Sequence, residues 1–298
     1  MCNDKKHSVM KKLLIFLFML PLAAAAQSGN YYYVKQFAEE GIPAAQYICG
    51  AYLENGIQGA EKDMERAVLF YNEAAKQGYL EAYEALARCY RDGTGVARDS
   101  RKAEYYMNKY NDTSAAMGGF KPEKTVYSKN NYVRNKYSCF VTNETRLGAD
   151  AEKNGDYVAA EYYYTRFAVM GDDWSQEYLG RMYEEGRGVR QDQARALFWY
   201  ELAASDGKDD DLCMKIAGMY ADGLGTPVNY EKAVSYYEKA AEQGNRQAMK
   251  ALEDIYSNGR PGVPRDVDVA EFWHNKQNEE PENDVHPLEQ LFWGLFGY

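Results

Sequence analysis

At 298 residues, with 46% hydrophobic and 27% charged side chains, the chain has enough apolar surface to bury a substantial core, which excludes wholesale disorder. Its net charge of −10, from 35 basic and 45 acidic residues, argues against nucleic acid or anionic lipid as partners, because their phosphates repel it at long range. Five cysteines are too few to build the fold on disulfides.

The N-terminus carries Lys11 and Lys12, an apolar run of about ten residues and then Ala23 to Ala26, which is the layout of a secretory signal peptide cleaved after Ala26. The run is well short of the roughly 20 residues a bilayer requires, so no stable membrane insertion of the mature chain is expected. A signal anchor is the alternative. Residues 27–298 then hold 31 basic and 44 acidic side chains, a charge of −13. Export across the inner membrane to a bacterial periplasm or cell envelope is the expected location.

Residues 27–41 read as one helix, aromatic at helical spacing and stopped by Gly41, and so as an atypical terminal unit of an array. From residue 44 a pattern repeats. Residues 45–56 and 63–78 form one pair of segments and residues 82–96 and 99–106 the next, with Tyr52 and Tyr90 38 residues apart as matched positions. Residues 111–142, with Gly118, Gly119 and Pro122, read as an irregular insertion or a degenerate repeat. Residues 147–171 restore the pairing with a tight turn at Asn154, Gly155 and Asp156. Two strong copies follow over 174–244, with Tyr183 and Tyr220 37 residues apart, and then a last one over 247–274. An acidic hinge begins at Glu279, and an aromatic tail fills 288–298. The resulting division is 1–26, 27–110, 111–142, 143–278 and 279–298. A period in the range of about 20 to 50 residues marks a stacked array.

Within each unit apolar residues recur at three- and four-residue spacing on both segments, so both are amphipathic helices. Alanine and glycine permit close approach, and aromatic rings fill the space between units. Gly93/Gly95, Gly186/Gly188 and Gly223/Gly225 suit helix termination, and Asp63, Asp99, Asp192, Asn229 and Asp266 stand where a side-chain oxygen caps the second helix. A phosphate-binding loop does not fit, since no Gly-Lys-Ser/Thr ending and no preceding strand are present. Cys49 and Cys89 are matched with Gly180 or Ala217 and with Met182 or Met219, as small buried side chains.

The pattern Leu-Gly-x-x-Tyr-x-x-Gly-x-Gly-Val, then Asp-x-x-x-Ala-x-x-Trp/Tyr-Tyr-x-x-Ala-Ala-x-x-Gly, resembles the Sel-one-like repeat, a longer-looped relative of the tetratricopeptide repeat. The likeness spans 44–110 and 174–274, while the 147–171 unit is closer to the tetratricopeptide form. It implies an all-α fold, a right-handed superhelix (solenoid) of antiparallel helix-pair repeats, and a noncatalytic adaptor for protein complexes.

The chemistry available agrees with that implication. Only His7, His274 and His286 are present, and the acidic pairs sit at turns and helix ends, so no catalytic, metal or cofactor site is expected. A β-lactamase or penicillin-binding role, reported for cysteine-rich relatives, lacks its paired cysteines here. Carried over from the tetratricopeptide frame, the groove residues are Glu84, Arg88 and Arg91, then Glu177, Arg181 and Glu184, then Lys250 and Asp254, which could read a charged peptide or serve only solubility. Phe292, Trp293 and Phe296 of the tail either cap the last repeat or dock into a partner. The expected function is a protein or peptide-binding scaffold of the envelope; a regulator or assembly subunit of a polysaccharide or signalling machine is the alternative.

Overall fold

The computed structural model describes residues 31–122 and 143–278. The leader, residues 123–142, the acidic hinge and the tail residues Phe292, Trp293 and Phe296 lie outside that range. Thirteen α-helices and no strand occur among the described residues. Helix α1 (Tyr31–Glu39) precedes six pairs: α2 (Pro43–Asn55) with α3 (Met64–Lys76), α4 (Leu80–Asp92) with α5 (Ser100–Ala116), α6 (Asn143–Lys153) with α7 (Tyr157–Ala168), α8 (Asp173–Glu185) with α9 (Gln193–Ala203), α10 (Asp210–Asp222) with α11 (Tyr230–Glu242), and α12 (Arg246–Asn258) with α13 (Val267–Asn278). This is the all-α array of helix pairs that the repeat pattern implies. Helix α5 runs to Ala116, so the beginning of the 111–142 stretch is helical.

The helix ends follow from the residues placed there. Asp63, Asp99, Asp192 and Asn229 each accept a backbone N–H from the first turn of the second helix, and Asp266 accepts from Asp268 and Val269. The first helices stop at Gly56, Gly93, Gly186 and Gly223, all left-handed. One further bond closes each loop: the N–H of the capping residue donates to the carbonyl three residues before the stop glycine, from Asp63 to Leu53, Asp99 to Tyr90, Asp192 to Tyr183 and Asn229 to Tyr220, at 2.8–2.9 Å.

These bonds correct the alignment of the first unit. Leu53, not Tyr52, is the counterpart of Tyr90, Tyr183 and Tyr220, because the Tyr52 carbonyl accepts from the Gly56 N–H as those of Cys89, Met182 and Met219 accept from Gly93, Gly186 and Gly223. Cys49 therefore matches Leu179 and Ile216, and Gly50 is the counterpart of Gly180 and Ala217. Cys49, Cys89 and Cys213 are buried and form no disulfide among the described residues.

The chain divides into two compact units, Met1–Ser205 and Asp206–Tyr298. In the first, helices α7 to α9 pack back onto α1, α2 and α4. The contact runs along the turns that join one pair to the next. Phe37 of α1 stacks on Trp199 of α9, Tyr79 before α4 stacks on Tyr162 of α7, and Glu81 of α4 pairs with Arg166 of α7 at 2.8 Å. Arg166 is 2% exposed. In the second unit the Gln243 side-chain amide donates to the Gly207 carbonyl, 36 residues back, and Gln77 reaches Gly41 in the same way within the first unit. These bonds lock successive pairs in register.

Candidate functional site

The faces of the first helices are the surface on which the groove residues were placed. Their geometry begins with a clamp that occurs three times. Tyr71, Tyr164 and Tyr200, each eight residues after a second-helix cap, lie across Gly50, Gly148 and Gly180 of the partner helix. A Cβ would sit 2.5 Å from the Tyr71 ring at Gly50 and 2.6 Å from Tyr164 at Gly148, and closer still to Tyr200 at Gly180. Four residues beyond each glycine stands a glutamate that accepts the tyrosine hydroxyl: Glu54 at 2.6 Å, Glu152 at 3.0 Å and Glu184 at 2.6 Å. Burial, then the adjoining carboxylate, raises the pKa of all three tyrosines, so they remain donors at any physiological pH.

A second device covers the tyrosine three residues before the stop glycine. Lys102 lies 5.0 Å from the Tyr90 ring, Arg195 5.3 Å from Tyr183 and Lys232 4.6 Å from Tyr220, in each case from the third residue after the cap. In the first pair Leu53 offers no such ring face, and Arg66 instead donates to the Tyr31 hydroxyl of α1.

Against this frame the groove residues divide. Arg88 donates to Glu54 of the preceding first helix at 2.6 and 2.7 Å, so it ties α4 to α2. Arg91 is exposed beside Asp92. Glu84 is half-buried on α4. On α8, Glu184 serves the Tyr200 clamp, Arg181 lies over Tyr178 at 4.3 Å from the ring centre, and Glu177 is half-buried. On α12, Lys250 is exposed and Asp254 binds Arg260 and Asn258. His274 is exposed, takes the clamp position of the last pair and meets Glu253 at 3.0 Å.

The stop-glycine register brings order to these positions. Nine, five and two residues before it stand Glu84, Arg88 and Arg91 on α4; Glu177, Arg181 and Glu184 on α8; Met214, Gly218 and Ala221 on α10; and Lys250, Asp254 and Ser257 on α12. These first-helix positions thus differ from pair to pair while the caps of the second helices recur. Two participants were not read from sequence: Glu54, whose role needs Arg88 from the next pair, and Trp174, an exposed indole on α8.

Among the described residues no three His, Cys, Asp or Glu side chains gather to hold a metal ion, and no helix is long and apolar enough to cross a membrane.

Comparison with known proteins places this geometry. Chitin synthase regulatory factor 3 of Schizosaccharomyces pombe is 26% identical over 189 residues, covering 55% of this chain and 20% of that protein. Chitin synthase regulator SKT5 of Saccharomyces cerevisiae is 31% identical over 105 residues, covering 35% and 14%. The chain spans only 14–20% of the length of these curated relatives. A crystallised Sel1 repeat protein from Oxalobacter formigenes is 26% identical, covering 81% of this chain and 87% of that one, with a TM-score of 0.36. The Sel1 repeat model matches residues 43–79, 80–109, 175–208, 211–245 and 251–276, omitting the short-turned 147–171 pair. With five matched repeats over more than half of its length, and the same caps and loop closures in each long-looped pair, the chain belongs to the Sel1 repeat family.

Proposed function

We propose that this protein is an exported, noncatalytic scaffold of the bacterial cell envelope that binds a protein or peptide partner across the faces of its first helices. One observation carries the reading: the caps and clamps hold the helix pairs, while the positions nine and five residues before the stop glycine carry Glu and Arg on α4 and α8, Met and Gly on α10, and Lys and Asp on α12. A repeated frame with a variable face is how repeat arrays build extended binding surfaces. The lysine, apolar and alanine order of residues 11–26 supports export.

Affinity capture from envelope extracts with the full chain tests this. The exposed residues Arg91 and Lys250 are each changed to Glu. A partner held by the wild type is expected to be lost or weakened severalfold with the melting temperature unchanged. Capture of no protein above control, or capture indifferent to every first-helix change, defeats the proposal. Mass spectrometry of the mature chain is expected to begin at Gln27.

A second reading is favoured by the two relatives named as chitin synthase regulators: this chain regulates a polysaccharide-synthesising machine of the envelope. Loss of one envelope polymer in a deletion strain, restored by the wild type but not by R91E/K250E, would support it. Unchanged polymer would dismiss it.

A further inference from the structure

The indole of Trp174 is 57% exposed in the first turn of α8, one residue after Asp173 and three before Glu177. Asp172, the third acid of this stretch, is occupied as the cap and accepts from Ser175. Asp173 and Glu177 make no ion pair or hydrogen bond among the described residues. They lie one helical turn apart, and like charges at that spacing repel on an exposed helix. The helix dipole explains a negative charge at Asp173 but not at Glu177, in the second turn. Arg181 is placed to relieve Glu177, yet its guanidinium lies over the Tyr178 ring instead. The rings form a row, with Tyr164 stacked on Tyr178 at 4.9 Å and Tyr178 on Trp174 at 6.4 Å, so that Trp174 is the outermost.

We propose that Trp174, Asp173 and Glu177 form a docking site for a basic side chain, arginine above all, presented by an extended segment of a partner protein. A planar guanidinium stacks on the indole while its N–H groups reach the two carboxylates, and so relieves their repulsion. The chain already makes the first half of this contact one turn away, with Arg181 on Tyr178. The proposal rests on the scaffold reading and names the chemistry of one partner segment.

The test uses the full chain and two fluorescein-labelled alanine–glycine peptides, one with two arginines and one with two glutamates at the same places. Binding of the arginine peptide is expected to weaken at least fivefold in W174A and in D173N/E177Q, with circular dichroism unchanged, and to weaken with added salt. The D268N/E271Q variant, which removes the same charge from α13, is expected to bind as the wild type does. No binding of the arginine peptide, equal binding by W174A, or equal loss in D268N/E271Q overturns the proposal, as does Trp174-dependent binding of chitotriose in place of the peptide. Capture from extracts separates the two levels. A partner retained equally by wild type and W174A removes this site and leaves the scaffold standing, whereas a wild type that captures nothing removes the scaffold reading itself.

Discussion

A single hydrogen decides whether a first-helix position accepts a tyrosine ring. Gly180 sits beneath the fully buried Tyr200, so an added methyl must push the ring aside. The gain in helix propensity from Gly to Ala is about 1 kcal/mol, and overpacking costs about 1–3 kcal/mol, so G180A is expected to lose up to about 2 kcal/mol in chemical denaturation. Gly218 of α10 is the control, because a Cβ there meets nothing within 4 Å. G218A is expected to gain up to about 1 kcal/mol, and equal effects at the two sites would contradict the clamp. Removing only the hydroxyl, in Y200F, leaves the Glu184 carboxylate one donor short and is expected to cost about 1 kcal/mol.

At the scale of elements, the packing of α7 on α4 depends on a buried ion pair far apart in sequence. Replacing Arg166 with Met strands the Glu81 carboxylate in the interior and is expected to cost about 3–5 kcal/mol, while E81L/R166M recovers most of that loss, as denaturation curves would show. Burial pushes the Glu81 carboxyl up to about 7, outweighing the opposing pull of Arg166. A carboxyl raised in the folded state binds its proton more readily there than in the unfolded chain. Its stabilising contribution is therefore full below the ordinary value of 4.5 and is lost as the pH rises through 7. The melting temperature of the wild type is expected to fall relative to E81Q across that window. A constant difference between the two would show that Glu81 does not titrate there.

For the whole molecule, charge governs encounter. The chain carries −10, so a basic partner is steered toward it and an acidic one repelled. The association rate of a captured partner is expected to fall by about an order of magnitude on raising the salt from dilute buffer to above physiological strength, with a smaller change in dissociation. Stopped-flow or surface-based kinetics would measure both. A rate indifferent to salt would place the contact on apolar surface.

Local chemistry determined most of what the sequence by itself could state. The capping oxygens of Asp63, Asp99, Asp192 and Asn229, the stop glycines and the alternating small and aromatic residues act within a few residues of chain, so helix ends and pairings were legible. The one slip in register, Tyr52 for Leu53, arose where two side chains of similar apolar character adjoin, and only the loop-closing bond separates them. The groove residues lie on first helices, but whether each is spent or exposed was not legible, because Glu54 for Arg88 and Tyr200 for Glu184 come from other helices. The sixth residue after each cap makes the division plain. Leu69 and Tyr105 are 64% and 55% exposed, whereas Tyr162 at the same position is buried on Tyr79 and Phe120, and Phe198 is half-buried beside Phe37. Nothing in the local pattern separates these four. Tertiary packing decided them, since burial depends on which distant turn lies opposite, and that is fixed by contacts such as Glu81 with Arg166 across 85 residues of chain.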